Sequence, residues 1–205
     1  MKYTNLMFIL MLFGLSCKAQ RLPSPDIVFP LEDYSSYIET HDKIPGGTYF
    51  KDVNHLLDKY VGTWTGNYKN HTYTLEIVEK IAVPGSARHS LKYDQLRIRY
   101  KITDSAGNLI RSTLNLPDDD VLIIDGLVFK SSSAQTYKAV YVSEQSTCGD
   151  WGTLYLSIAN PNETQMSLYI APGDTMTYPE ECPDGYTSPP FPKKNETPMV
   201  LTKQD

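Results

Sequence analysis

The stretch Leu96-Arg97-Ile98-Arg99-Tyr100-Lys101-Ile102 decides the fold class of this 205-residue chain. Its apolar residues alternate strictly with its basic residues, so an extended strand would carry one apolar face and one charged face. We therefore predict a β-strand that covers a core with one side and meets solvent with the other.

Further strands are predicted on both sides of this one. The run Ser105-Ala106-Gly107-Asn108 predicts a turn, and residues 110–116 are its hairpin partner; Asn160-Pro161-Asn162-Glu163 predicts a second turn. The other predicted strands are residues 72–77, 121–124, 127–129, 137–142, 154–158, 166–170 and 199–202. Roughly eight to ten short strands without crossover helices predict an all-β fold, an antiparallel meander barrel, with a β-sandwich as the alternative.

Two regions precede the strands. A short helix is predicted over residues 52–62, because Asp52 is a good N-cap, Gly62 a good C-cap, and apolar residues recur between them at helical spacing. Residues 20–50 carry several prolines and glycines without periodicity, which predicts an extended N-terminal segment, parts of which dock on the domain formed by residues 51–205.

Residues 1–19 are typical of an export signal. Lys2 precedes an uncharged apolar run that is too short to span a bilayer. Gly14-Leu15-Ser16-Cys17 is similar to a bacterial lipobox, in which Cys17 would receive a lipid, whereas Cys17-Lys18-Ala19 equally fits ordinary signal peptidase. Both interpretations predict an exported protein, either free in the periplasm or held at the outer membrane through Cys17.

Two cysteines remain for the folded domain, Cys148 and Cys182. In an oxidising compartment an isolated pair is most simply a disulfide, and two buried free thiols are the alternative.

Composition and motifs exclude several classes of function. The net charge of −5 and the absence of a Lys/Arg run argue against a nucleic-acid partner. No nucleophile elbow, zinc helix or phosphate-binding glycine loop is present, and the four histidines are scattered, so we predict no enzyme, no metal and no cofactor. Asp118, Asp119, Asp120 and Asp125 form the densest carboxylate cluster, which we interpret as a solvated turn.

The sequence resembles the lipocalin and fatty-acid-binding (calycin) pattern. There a Gly-x-Trp opens the first strand, as Gly62-Thr63-Trp64 does here, and the tryptophan closes one barrel end beneath a cation from the last strand. The resemblance implies that Trp64 is the barrel plug and Lys203 its cation; an ordinary core tryptophan is the alternative. The layout, with "SCKAQ" and "LDKYVGTWTG", is also similar to uncharacterised exported domains of Bacteroidota-type bacteria.

The leading functional hypothesis is a non-enzymatic binding module of the cell envelope. A barrel with an open interior would offer a small apolar ligand the side chains of Leu75, Ile77, Leu96, Ile98, Tyr100, Leu154 and Leu156. If the barrel is filled, these residues are core. The protein would then be a structural or interaction protein, an inhibitor or accessory subunit, that contacts an envelope partner through exposed residues such as Tyr155 and Tyr169.

Overall fold

The computed structural model of the protein describes residues 26–40, 44–85, 91–130, 134–158, 160–174, 182 and 190–204. Eleven strands in these ranges form one sheet, which confirms the all-β prediction. The strands are β1 Ile27–Pro30, β2 Thr48–Lys51, β3 Gly62–Tyr68, β4 His71–Pro84, β5 Lys92–Thr103, β6 Leu109–Ser112, β7 Ile124–Phe129, β8 Thr136–Val142, β9 Trp151–Ser157, β10 Gln165–Pro172 and β11 Met199–Lys203.

Eight strands close into an antiparallel barrel in the order β5-β4-β3-β11-β10-β9-β8-β7, and β7 returns to β5. The pairing of β4 with β5 is long and runs from Thr72 to Pro84 of β4. The closing seam between β5 and β7 is short, and it places Arg97 opposite Asp125 and Ile98 opposite Ile124. The barrel prediction is therefore confirmed over the sandwich alternative.

Several of the predicted strands have different bounds in the structure. The returning strand of the hairpin, β6, ends at Ser112 rather than at residue 116, because Thr113 turns inward and its Oγ accepts the backbone N–H of Tyr100 at 2.9 Å. Residues 121–124 and 127–129 were predicted as separate strands. The structure has one strand there, β7, which contains Ile124 and residues 127–129; residues 121–123 precede it outside the sheet, and Val121 has 78% of its surface exposed.

The segment before the barrel is docked and contains a helix, which the prediction of an extended segment missed. We call residues 26–40 and 44–51 the strap. In it β1 pairs in parallel with β2, β2 pairs in parallel with β5, and a 3-10 turn at Leu31–Asp33 leads into helix α1, Tyr34–Thr40. Leu31 and Phe50 have no exposed surface, so the strap contributes to the core.

The helix predicted over residues 52–62 is wrong. Only a 3-10 turn, Asp58–Tyr60, forms there, and Gly62 begins strand β3. Asp52 does cap the chain, since its carboxylate accepts the N–H groups of Leu56 and Leu57 at 2.9 and 2.8 Å. However, His55 has a φ of +54°, which no α-helix accommodates. Leu57 and Tyr60 are therefore buried by a loop, while Val53 stays exposed.

The barrel interior is filled by one continuous core. Its buried members include Trp64, Tyr73, Leu75, Ile77, Leu96, Ile98, Tyr100, Ile102, Ile124, Phe129, Tyr137, Ala139, Tyr141, Leu154, Leu156, Met166, Leu168, Ile170, Met199 and Leu201. Each of these side chains is at most 2% exposed. Burial of this much apolar surface is the main force that stabilises the fold.

Large aromatic side chains close both ends of the barrel. At one end the indole N–H of Trp64 donates to the carbonyl of Tyr60, and the ring of Tyr60 lies 6.0 Å from that of Tyr137, the first inward residue of β8. At the other end Phe191, from the segment after Cys182, packs edge-on against Tyr141 at 5.2 Å. Because Tyr137 and Tyr141 lie at opposite ends of β8, the two aromatic plugs lie at opposite ends of the barrel.

Candidate functional site

A cavity of about 340 Å³ lies beside the Phe191 end of the barrel, outside the filled interior. Four pieces of chain line it: β5 through Tyr100, β6 with the residue that follows it, the turn before β7 through Leu122, and the loop between β8 and β9. The lining residues are Tyr100, Ile110, Arg111, Ser112, Thr113, Leu122, Ser143, Glu144 and Gln145. Most of these carry polar or charged groups, so the cavity suits a ligand with a polar end.

Arg111 connects this cavity to the core. Its Nη1 donates to the hydroxyl of Tyr141 at 2.6 Å and to Oδ2 of Asp150 at 3.1 Å. Asp150 is 1% exposed, whereas about a third of the Arg111 side chain is exposed. A buried carboxylate therefore anchors a guanidinium whose other edge remains accessible.

The remaining polar atoms of this pair are unused. Within the described part of the chain, Nε and Nη2 of Arg111 make no hydrogen bond at bonding distance, although the Tyr100 hydroxyl lies near the guanidinium, and Oδ1 of buried Asp150 has no partner. A buried carboxylate oxygen without a partner costs free energy, because it has lost its water without replacement. A buried polar group that is left unpaired in a native structure is often explained by a functional role, such as binding a partner group.

Electrostatics keep the phenol next to Arg111 protonated. Burial, then the neighbouring Tyr100 and the Asp150 carboxylate, raise the pKa of Tyr141 well above its ordinary value. Burial likewise raises the pKa of Tyr100. Since Tyr141 is a neutral acceptor, Asp150 is the one group in direct contact with Arg111 that balances its charge in the described structure.

The loop that lines one side of the cavity is held by its own hydrogen bonds and by a disulfide. The N–H of Ser143 donates to the carbonyl of Asp150 at 3.1 Å, and the N–H of Cys148 donates to the carbonyl of Gln145 at 2.8 Å. Cys148 is bonded to Cys182, which confirms the predicted disulfide. The bridge ties this loop to the chain that leads to Phe191.

The seven residues predicted to line an open interior all lie in the core. They are Leu75, Ile77, Leu96, Ile98, Tyr100, Leu154 and Leu156, and none is more than 1% exposed. Tyr100 is the one of the seven that also lines the cavity at the barrel end.

Trp64 and Lys203 lie together as the calycin resemblance implies. Nζ of Lys203 is 5.4 Å from the centre of the Trp64 ring, and the same Nζ donates to the carbonyl of Lys59 at 3.3 Å. The indole N–H of Trp64 donates to the carbonyl of Tyr60 at 2.7 Å. Gly62 is required here, since its φ is +128° and a Cβ would lie 3.1 Å from Cε of Lys203.

The aspartate cluster is engaged with the basic face of β5. Asp118 accepts from Nη2 of Arg99 at 2.6 Å and from Nζ of Lys80 at 2.9 Å. Hydrogen bonds from these two cations lower the pKa of Asp118 to about 2. Asp125 accepts from Nε of Arg97 at 3.0 Å. Among the described residues, no group of three or more His, Cys, Asp and Glu side chains is arranged to hold a metal ion.

Some predictions concern residues outside the described ranges. The export signal over residues 1–19 and the lipidation site Cys17 both lie there. In the described ranges no helix has the length and apolar character needed to cross a bilayer.

Sequence reasoning missed the Arg111 site. Arg111 precedes Tyr141 by 30 residues and Asp150 by 39; Arg111 and Tyr141 lie in different predicted strands, and Asp150 lies between two predicted strands. The available signal was an arginine next to Ile110 in a short hairpin strand, which by itself is typical of a solvent-facing residue.

Comparison with known proteins gives a family but no characterised relative. The model of a family described as a family of unknown function, DUF6705, matches residues 1–148 of the chain. No curated protein and no solved structure matches. The matched region contains Arg111 and Tyr141 and ends at Cys148.

Proposed function

The chain belongs to DUF6705, a family of unknown function, and we propose from its own geometry that it is an exported, non-enzymatic binding module. In this proposal the filled barrel is a rigid scaffold, and the ligand site is the cavity beside Arg111. The observation that carries it is a guanidinium about one third exposed, anchored by a buried aspartate with an unpartnered oxygen, at the edge of a cavity of about 340 Å³.

The barrel interior is filled with side chains, which supports a ligand site outside the barrel. A small apolar ligand inside the barrel would have to displace side chains that are completely buried and closely packed, such as Leu75, Ile98 and Leu156. Replacing packed core is costly, because protein interiors have crystal-like density. The cavity beside Arg111 needs no such displacement, and pockets of this size are common ligand sites.

The character of the lining supports binding rather than catalysis. The described lining has one cation, Arg111, and one carboxylate, Glu144, and it includes no histidine or cysteine. A nucleophile paired with a general base is the usual signature of covalent catalysis. Its absence from these lining residues favours a binding role.

Export is supported by two features of the chain. Residues 1–19 have the pattern of an export signal, and the disulfide between Cys148 and Cys182 suits an oxidising compartment. We propose the periplasm or the outer membrane as the location, with Cys17 as a lipid anchor in the second case.

A second candidate function is contact with an envelope protein. The rings of Tyr155 and Tyr169 stack on the outer face of β9 and β10, 4.9 Å apart and nearly parallel, and Nζ of Lys130 lies 5.9 Å from the Tyr155 ring. Tyrosine is enriched in protein interfaces, where it combines a large apolar surface with a polar tip.

Native mass spectrometry combined with an NMR fragment screen tests the main proposal. We expect protein purified from the envelope to carry no non-covalently bound lipid, and polar fragments to shift the amides of residues 110–113 and 143–145. Co-purified lipid, or fragment shifts confined to interior residues such as Leu154 and Leu156, would contradict a filled scaffold with a site beside Arg111. The intact mass reports in the same experiment whether Cys17 is lipidated.

A further inference from the structure

We propose that the cavity binds a small carboxylate, which the free edge of Arg111 holds side-on. This inference rests on the proposed function and names the class of its ligand. The observation behind it is which donors of the guanidinium are occupied and which are left.

Both hydrogen bonds of Arg111 at bonding distance leave from one nitrogen. Nη1 donates to Tyr141 at 2.6 Å and to Asp150 at 3.1 Å, whereas Nε and Nη2 make no such bond with the described residues. The hydroxyl of Tyr100 also lies near the guanidinium; burial raises the pKa of that phenol, and Arg111 lowers it by a smaller amount. The N–H groups of Nε and Nη2 point in parallel from one edge of the planar group. This edge fits the two oxygens of a carboxylate in a bidentate pair.

Arg97 and Arg99 differ in this respect. They lie on the outward face of β5, whereas Arg111 is opposite the inward-facing Ile102. Arg97 uses Nε on the carboxylate of Asp125 at 3.0 Å, and Arg99 uses Nη2 on Asp118 at 2.6 Å. In both cases the chain's own aspartate takes the edge that Arg111 leaves open. Arg111 instead uses Nη1 to bind Asp150, so the edge formed by Nε and Nη2 is left for a ligand.

The guanidinium is fixed in place before any ligand arrives. Arg111 pairs with Ile102 across β6 and β5, and the Asp150 anchor is completely enclosed by the fold. A donor that is already oriented loses little freedom on binding, so more of the hydrogen-bond energy appears as affinity.

The local charge favours a monoanion over a phosphate. Asp150 already balances Arg111, and Glu144 adds a further negative charge to the lining. A dianion would therefore meet net repulsion, whereas a carboxylate adds one negative charge that the fork can bind directly.

The rest of the lining indicates which kind of group is attached to the carboxylate. Ile110, Leu122 and the ring of Tyr100 give the cavity an apolar side. A carboxylate attached to a compact apolar group, such as an aromatic ring, therefore matches both the charged edge and the apolar side of the cavity.

Matched ligands test this inference. Benzoate and benzamide have the same shape, but only benzoate presents two equivalent anionic acceptors. We expect benzoate, in an NMR titration at low salt, to shift the amides of residues 110–113 and 143–145 to saturation, with an affinity on the order of tenfold or more above that of benzamide. Arg111→Lys should lose the preference, because an ammonium has no planar fork. Arg99→Lys is the matched control and should keep it.

Loss of Arg111 leaves Asp150 buried and uncompensated, so folding is controlled separately. The double variant Arg111→Met/Asp150→Asn removes both charges, and we expect it to remain folded by NMR and to bind benzoate no better than benzamide. If it still prefers benzoate as the wild type does, the assignment to Arg111 is overturned.

The remaining outcomes separate the two proposals. Equal binding of benzoate and benzamide in the cavity, or tighter binding of inorganic phosphate, overturns the carboxylate inference and leaves the binding module intact. If benzoate and the polar fragments all fail to shift the cavity residues, both proposals fail. A short peptide with a free C-terminus, compared with its C-terminally amidated form, identifies the source of the carboxylate. Tight binding of the free form alone indicates a chain terminus, and weak binding of both forms indicates a small free carboxylate. Tight binding of both peptide forms contradicts carboxylate recognition.

Discussion

At the scale of single residues, Trp64 combines three requirements in one side chain. It fills one end of the barrel without exposed surface, its N–H is satisfied by the carbonyl of Tyr60, and its ring lies 5.4 Å from Nζ of Lys203. A buried tryptophan needs a partner for its N–H, and this one is supplied by the 3-10 turn immediately before the strand.

We expect Trp64→Ala to lower the free energy of unfolding by about 3–5 kcal/mol, because it leaves a large cavity in a packed core. Urea unfolding followed by circular dichroism measures the change. Val121→Ala is the control, since Val121 is 78% exposed, and it should change stability by less than about 0.5 kcal/mol. Equal urea midpoints for the wild type and Trp64→Ala would show that packing of the Trp64 ring does not stabilise the fold.

The same scale shows what sequence alone could and could not reveal. The alternation in residues 96–102 was sufficient to assign their inward and outward faces, since Leu96, Ile98 and Ile102 are all at most 2% exposed. Arg111 was out of reach, because its significance depends on Asp150 and Tyr141, which only the closed barrel brings to it.

At the scale of elements, the residues from Asp52 to Gly62 explain the misplaced helix. The apolar residues do recur at helical spacing, but the chain there is a loop. It buries Leu57 and Tyr60 under the barrel end and leaves Val53 44% exposed. The helix that does form, α1, is seven residues long and includes two serines, so it carries little intrinsic signal. Its stability comes from the strap aromatics, such as Tyr34 against Phe50 at 4.7 Å.

The disulfide should stabilise the fold and order the loop between β8 and β9. Cys148 and Cys182 are 34 residues apart, and closing a loop of that length stabilises a fold by about 3–4 kcal/mol through the unfolded chain. We therefore expect Cys148→Ser/Cys182→Ser to lower the free energy of unfolding by that amount, and to loosen the loop of Ser143 to Asp150. Chemical unfolding measures the first effect and NMR linewidths of this loop measure the second.

Wild-type protein treated with a reductant is the control for the disulfide variant, and its unfolding curve should coincide with that of the variant. A variant as stable as oxidised wild type would mean that the bridge contributes nothing to the fold.

At the scale of the whole molecule, the barrel is not equally strong around its circumference. The β4–β5 pair is the longest contact in the sheet, whereas the β5–β7 seam consists of two aligned residue pairs. β5 is shared, because β2 pairs with its first residues and β6 with its last. Little of β5 remains for β7, so closure depends on a short seam.

We expect the backbone amides at this seam, Ile124 to Gly126, to exchange with solvent faster than those of β4, because local opening needs few hydrogen bonds to break. Native-state hydrogen exchange by NMR measures the difference, and the β3–β4 amides serve as the internal reference. Equal protection at the seam and in β4 would show that the barrel opens only as a whole.

The strap has a consequence for solubility. By adding β1 and β2 to β5 in parallel, it moves the free end of the sheet out to β1, where Ile27 and Val28 are about half exposed. Open strand edges invite other chains to add on and form aggregates. This edge is four residues long and ends in Pro30, whose ring nitrogen has no hydrogen to donate, so a second molecule finds few places to continue the ladder.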